Sequence, residues 1–63
     1  MFFTETTAEN IAARIAECAA IFARTKSTVA AEIMDDLQTR AVEQFGFGWE
    51  EVEAWEIAGY KAA

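Results

Sequence analysis

The chain has no histidine, no proline, a single cysteine and three glycines among its 63 residues. Each scarcity excludes something. With one cysteine no intramolecular disulfide can form, and a reducing intracellular setting is the simple expectation. One cysteine and no histidine also rule out a structural zinc site of the usual Cys/His kind. The longest apolar run, Cys18 to Ala23, is far too short to span a bilayer. MFFTETT lacks the basic start, apolar stretch and cleavage site of a secretory signal. The expectation is one small, soluble, cytoplasmic domain over residues 1–63, near the lower size at which a chain folds without staples.

Positive charge is scarce as well. Five basic residues face eleven acidic ones, for a net charge of −6. Residues 1 to 31 are balanced: Glu5, Glu9 and Glu17 against Arg14, Arg24 and Lys26. Residues 32 to 56 are not. They hold Glu32, Asp35, Asp36, Glu43, Glu50, Glu51, Glu53 and Glu56 against Arg40 alone. This asymmetry argues against nucleic-acid binding and for a basic partner. Acidity that serves solubility accounts for the total better than for the segregation.

What the chain does have is helix-forming residues in helical register. Alanine and glutamate dominate, and no proline interrupts them. Thr6-x-x-Glu9 has the spacing of a capping box. After it Ile11, Ile15, Cys18 and Phe22 recur on one face, flanked by Ala12 and Ala19. Thr25-Lys26-Ser27 breaks the pattern, with Ser27 or Thr28 as the next N-cap. A second arc then gathers Ala30, Ile33, Met34, Leu37, Ala41 and Phe45. Gly46 sits where a left-handed C′ residue belongs, and a Schellman ending would bring Phe47 against Val42. The sequence therefore predicts an all-α, compact three-helix domain, with helices near 7–24, 28–45 and 49–58. It allows no sheet larger than a stray pairing of Phe2 and Phe3.

FGFGWEEVEAWE, residues 45 to 56, crowds rings against carboxylates. With Gly48 as N-cap, Phe47 can staple onto Val52, and Glu50 and Glu51 fall at N2 and N3. There the helix dipole favours each negative charge by ~0.3–1 kcal/mol. Gly59 reads as a second C′ residue, with Tyr60 folding back on Trp55. Trp49, Val52, Trp55 and Tyr60 share an arc into which Glu56 intrudes. Two readings of the tryptophans follow: both rings cover the core, or one belongs to a binding surface, where Trp is a common anchor.

Catalysis finds no support. No histidine can activate Cys18, the serine or a threonine. Cys18 itself lies on the apolar stripe, where packing is the expected role. Asp35-Asp36 and Glu50-Glu51 are adjacent on helices, so their side chains point about 100° apart. There is no EF-hand spacing, and Gly46-x-Gly48 is too short, and on the wrong side of a helix, to cradle phosphate. No enzyme activity, cofactor or metal is expected.

The acidic stripe of helix 2 carries the most weight. Glu32, Asp35, Asp36 and Glu43 extend over about 16 Å of helix, a mean axial step of about 5.5 Å, against ~3.4 Å between phosphates on one strand of duplex DNA. Glu32 and Asp36 repel at i,i+4, which costs a few tenths of a kcal/mol. A charge run is most simply a solvated face; a chain this small that tolerates the repulsion has reason to use it. EIMDDLQTRAVEQ and GWEEVEAWE, about a third of the chain, resemble the small acidic helical anti-CRISPR proteins of phages and mobile elements. They are most similar in kind to those acting on type I-C effector complexes. The resemblance implies a DNA mimic that occupies the basic surface where the effector complex admits target duplex, with no direct contact to nucleic acid or membrane. From the charge pattern, the candidate partner-binding residues are Glu32, Asp35, Asp36, Glu43, Glu50, Glu51 and Glu53, with Trp49 and Trp55. The alternative is an antitoxin-like or dimerising helical module that uses the aromatic face. A basic DNA-contacting arm would mark a repressing antitoxin, and the sequence has none.

Overall fold

Helix boundaries in this chain are set by local chemistry, and most fall where the capping residues put them. The computed structural model describes residues 5–63. Among these it contains three helices and no strand: α1 Ile11–Thr25, α2 Thr28–Glu43 and α3 Trp49–Ala62. The chain is thus an all-α three-helix domain. Phe2 and Phe3 lie outside the described residues.

The entry to α1 differs from the expected Thr6/Glu9 box. The reciprocal pair forms one residue later: Thr7 N–H donates to Asn10 Oδ1 at 2.8 Å, and Asn10 N–H donates to Thr7 Oγ1 at 3.2 Å. Asn10 also donates from Nδ2 to the Glu5 carbonyl at 2.8 Å. An amide both donates and accepts, whereas a carboxylate only accepts, so Asn10 ties down a stretch that Glu9 could not. Residues 8–10 form a turn, and α1 begins at Ile11 rather than near residue 7.

Between α1 and α2 the break is as expected. Lys26 adopts the left-handed conformation (φ 57°), donates its N–H to Phe22 O at 2.8 Å, and lays its ammonium 5.7 Å from the Phe22 ring centroid. Ser27 is the N-cap of α2, its Oγ accepting from Ala30 N–H at 3.3 Å.

α2 stops at Glu43, two residues short of the expected end. Gly46 is left-handed as expected (φ 78°), but with Gln44 as the C-cap it stands one residue beyond C′. The closing bond is wider than a Schellman bond, however, running from Phe47 N–H to Ala41 O at 3.0 Å, six residues back. The extra residue is absorbed where Gln44 and Phe45 N–H both reach the Arg40 carbonyl, at 2.9 and 3.3 Å.

α3 starts as the sequence indicates. Gly48 is its N-cap, and the Glu51 carboxylate accepts from Gly48 N–H at 3.0 Å, which is the half of a capping box that a glycine can support. The end of α3 contradicts the expectation. Gly59 is not a C′ residue; it is helical and buried, and α3 runs on to Ala62. A Cβ built on Gly59 would overlap the Ala16 carbonyl oxygen and lie 2.7 Å from Ala19 Cβ. The absent side chain lets α1 and α3 touch backbone to backbone.

α1 is the central element. It packs against both α2 and α3, while α2 and α3 meet each other at few points. The result is a flattened body of 32 × 29 × 17 Å. Ile11, Ile15, Ala19, Met34, Leu37, Ala41 and Val52 form the core, with Cys18, Val42, Phe45, Phe47 and Trp55 packed around it. Phe47 meets Trp55 edge-on, with ring centroids 4.9 Å apart and planes at 80°. Two residues expected on buried arcs are displaced. Phe22 is only half-buried, and Ile33 is 48% exposed at the edge of the α2 core face.

Candidate functional site

α2 is clamped to α1 through Ala30, Met34, Leu37 and Ala41, all buried. At 100° per residue the face opposite that seam carries Glu32, Asp35, Asp36, Thr39 and Glu43. All five are exposed. Arg40 relieves part of the charge: it donates from Nη2 to Asp36 Oδ2 at 3.1 Å, one helical turn apart. Both side chains are open to solvent, so this pair contributes well under 1 kcal/mol. The four acids of the stripe are therefore brought onto one solvated face.

The acids of α3 are not brought onto one face. Glu51 is engaged in the N-terminal cap, and Glu50 lies beside it in the first turn. Glu53 points about 160° around the helix from Glu51, into a groove between α2 and α3. This groove, of about 410 Å³, is lined by Gln38, Trp49, Val52, Glu53, Glu56, Ile57 and Tyr60.

The two tryptophans have different fates. Trp55 is half-buried against Phe47 and the core, whereas Trp49 is 57% exposed at the groove. The reading in which both rings cover the core is overturned. The arc of α3 that reaches the core is Val52, Trp55 and Gly59, whereas Trp49 and Tyr60 sit on its flank at the groove.

Glu56 holds the groove together. Its Oε1 accepts from Gln38 Nε2 and its Oε2 from the Tyr60 hydroxyl, both at 2.5 Å. The first bond joins α2 to α3 where apolar contact between them is thin. The second replaces the expected packing of Tyr60 back onto Trp55. Held by the carboxylate, and with burial adding to the effect, the Tyr60 hydroxyl has its pKa pushed up to about 12. Gln38, Glu56 and Ile57 were not among the candidate residues. For Glu56 and Ile57 the signal is the spacing of Trp49, Glu53, Glu56, Ile57 and Tyr60, a second helical stripe beside the core arc; Gln38, on α2, joins them only through helix packing.

No family model matches this chain, and no curated protein or solved structure does.

A second groove, of about 350 Å³, lies between α1 and α2 beside Ile33, Arg14, Glu17, Cys18, Asp36, Leu37, Arg40 and Thr6. Burial pushes the Cys18 thiol pKa up; neighbouring Glu17 adds to the shift and Arg14 opposes it. A thiol so held is protonated at neutral pH and a poor nucleophile. Among the described residues no group of His, Cys, Asp or Glu is placed to hold a metal ion, and no helix is long and apolar enough to cross a membrane.

Proposed function

We propose that this protein is a non-enzymatic inhibitor that presents the acidic face of α2 to a basic, duplex-binding protein surface in place of DNA. The observation that carries the reading is the disposition of Glu32, Asp35, Asp36 and Glu43. They share the solvated side of one rigid helix, with Arg40 as the cation paired into the stripe. Carboxylates grouped along one helix face, at a mean axial step of about 5.5 Å against ~3.4 Å for phosphates, offer their charge to the same lysines and arginines that hold a DNA strand. The resemblance to anti-CRISPR proteins nominates the target: a DNA-binding subunit of a type I effector complex, type I-C first, met in the host cytoplasm.

The test is a mobility shift with labelled target duplex, purified type I-C effector complex and increasing protein. Saturating protein is expected to exclude duplex, less effectively as salt rises, because exposed charges are screened over ~10 Å at 0.1 M. The Glu32→Lys, Asp36→Lys, Glu43→Lys triple variant should remain helical by circular dichroism and lose the effect. Duplex that stays bound beside saturating wild-type protein rejects the mimicry.

A second reading, a dimerising or antitoxin-like helical module, is favoured by the exposure of Trp49, Ile57 and Tyr60. It requires self-association that Trp49→Ala abolishes and the triple charge reversal leaves intact. Sedimentation across a concentration series separates the two.

A further inference from the structure

The groove between α2 and α3 is unlike the α2 stripe in chemistry. Its floor is Val52, only 1% exposed. One wall is the open indole of Trp49, with Ile57 and Tyr60 continuing the apolar surface. Two carboxylates, Glu53 and Glu56, also line it, and no lysine or arginine does. We propose that this groove is an arginine site, taking the guanidinium side chain of a basic protein partner. The inference rests on the reading that the partner is basic, but it uses none of the residues of the α2 stripe.

The chemistry favours arginine over other occupants. A guanidinium is planar, weakly hydrated and able to stack on an aromatic face while its N–H fork meets a carboxylate. Trp49 supplies the face and Glu53, one turn on, the carboxylate. Glu56 is already oriented by Gln38 and Tyr60, and two acceptor bonds leave part of its capacity of about four free. It therefore adds fixed negative charge without having to be ordered on binding. Lysine offers no plane to stack and holds its water more tightly. An anionic lipid or nucleic-acid occupant is opposed by both carboxylates. A second copy of the chain is opposed as well, since pairing two grooves would bring Glu53 and Glu56 of each copy together in a molecule of net charge −6. Charge complementarity thus selects a basic segment. Trp and Arg are also the residues that most often anchor a desolvated contact.

The experiment follows tryptophan fluorescence and the indole N–H resonances during titration with an alanine-based peptide carrying arginines at i and i+4. Its lysine twin is titrated in parallel, at physiological ionic strength. The arginine peptide should give a saturable change at Trp49 and not at Trp55, and bind about tenfold more tightly than the lysine twin. Glu53→Gln and Trp49→Ala should each remove that preference, while the α2 triple variant should keep it within about twofold. Equal binding of the two peptides overturns the proposal, as does a Glu53→Gln protein that behaves like wild type. Loss of peptide binding in the α2 triple variant overturns it too, by assigning the contact to the stripe. Saturable arginine binding at Trp49 in a protein that fails to displace duplex leaves the groove standing and removes the mimicry alone.

Discussion

Gly59 of α3 lies against Ala16 of α1 so closely that a single added methyl would overlap the Ala16 carbonyl oxygen. Helix propensity by itself favours alanine over glycine at such an interior position by ~1 kcal/mol. Here the collision is with backbone, which cannot rotate away, so the overpacking cost of ~1–3 kcal/mol or more wins. Gly59→Ala is expected to lower the melting temperature by on the order of 10 °C, at roughly 4–8 °C per kcal/mol for a domain this size. Gly59→Asn should be worse, although asparagine is tolerated at left-handed caps. A Gly59→Ala protein that melts higher than wild type would contradict the close crossing.

Gly46 should behave in the opposite way. Its φ is 78°, and a Cβ there would meet nothing within 4 Å. The cost of replacement is conformational: Gly46→Val should destabilise by on the order of 1 kcal/mol or more, and Gly46→Asn by a fraction of that. Denaturant midpoints for the two variants, at unchanged m-value, measure the difference. Equal losses would show that space rather than backbone angle limits the site.

Gly48 invites a stabilising change. Its φ of −79° suits any residue, and its one near neighbour is Glu51 Oε2 at an ordinary 3.8 Å. Gly48→Ser would complete the capping box and restrict the unfolded chain. The expected gain is a few tenths to ~1 kcal/mol, read as a higher midpoint in thermal melting. A fall in the midpoint would mean that the serine does not adopt the cap geometry.

Tyr60 gives the fold a weak point at high pH. The hydroxyl titrates at about 12 in the folded chain, against 10.0 for an unperturbed tyrosine. A raised folded-state pKa means that the native state holds its proton after the unfolded state has lost it. The stabilisation is therefore complete below pH 10 and disappears as pH rises towards 12. Because the chain has one tyrosine, ultraviolet titration of tyrosinate reads the group directly. Glu56→Gln should bring the pKa back towards 10, and a titration unchanged by that substitution would remove Glu56 as the cause.

The outcome of the predicted elements follows from how far each signal reaches along the chain. Ser27 caps its own helix three residues on, Gly46 turns its own peptide plane, and Gly48 opens the helix that follows it; these were legible because the partners are sequence neighbours. The Thr6/Glu9 expectation failed at the same short range, where two overlapping boxes competed and the amide of Asn10 offered one more bond. The acidic stripe was legible too, because helical periodicity alone puts Glu32, Asp35, Asp36 and Glu43 on one side of α2.

What periodicity does not specify is which flank of a helix receives a neighbour. The three helices, the α2 acid face and the acidity of residues 32 to 56 were determined by the sequence itself, through contacts a few residues long. Tertiary packing decided the rest. Because α1 takes both partners and α2 barely meets α3, the flanks these two turn towards each other stay open. Trp49 and Tyr60 are left at a groove, and Glu56 becomes a tie between helices. The same crossing turned Gly59 from a plausible helix stop into a contact point, because the space beside a glycine is set by a backbone more than forty residues away.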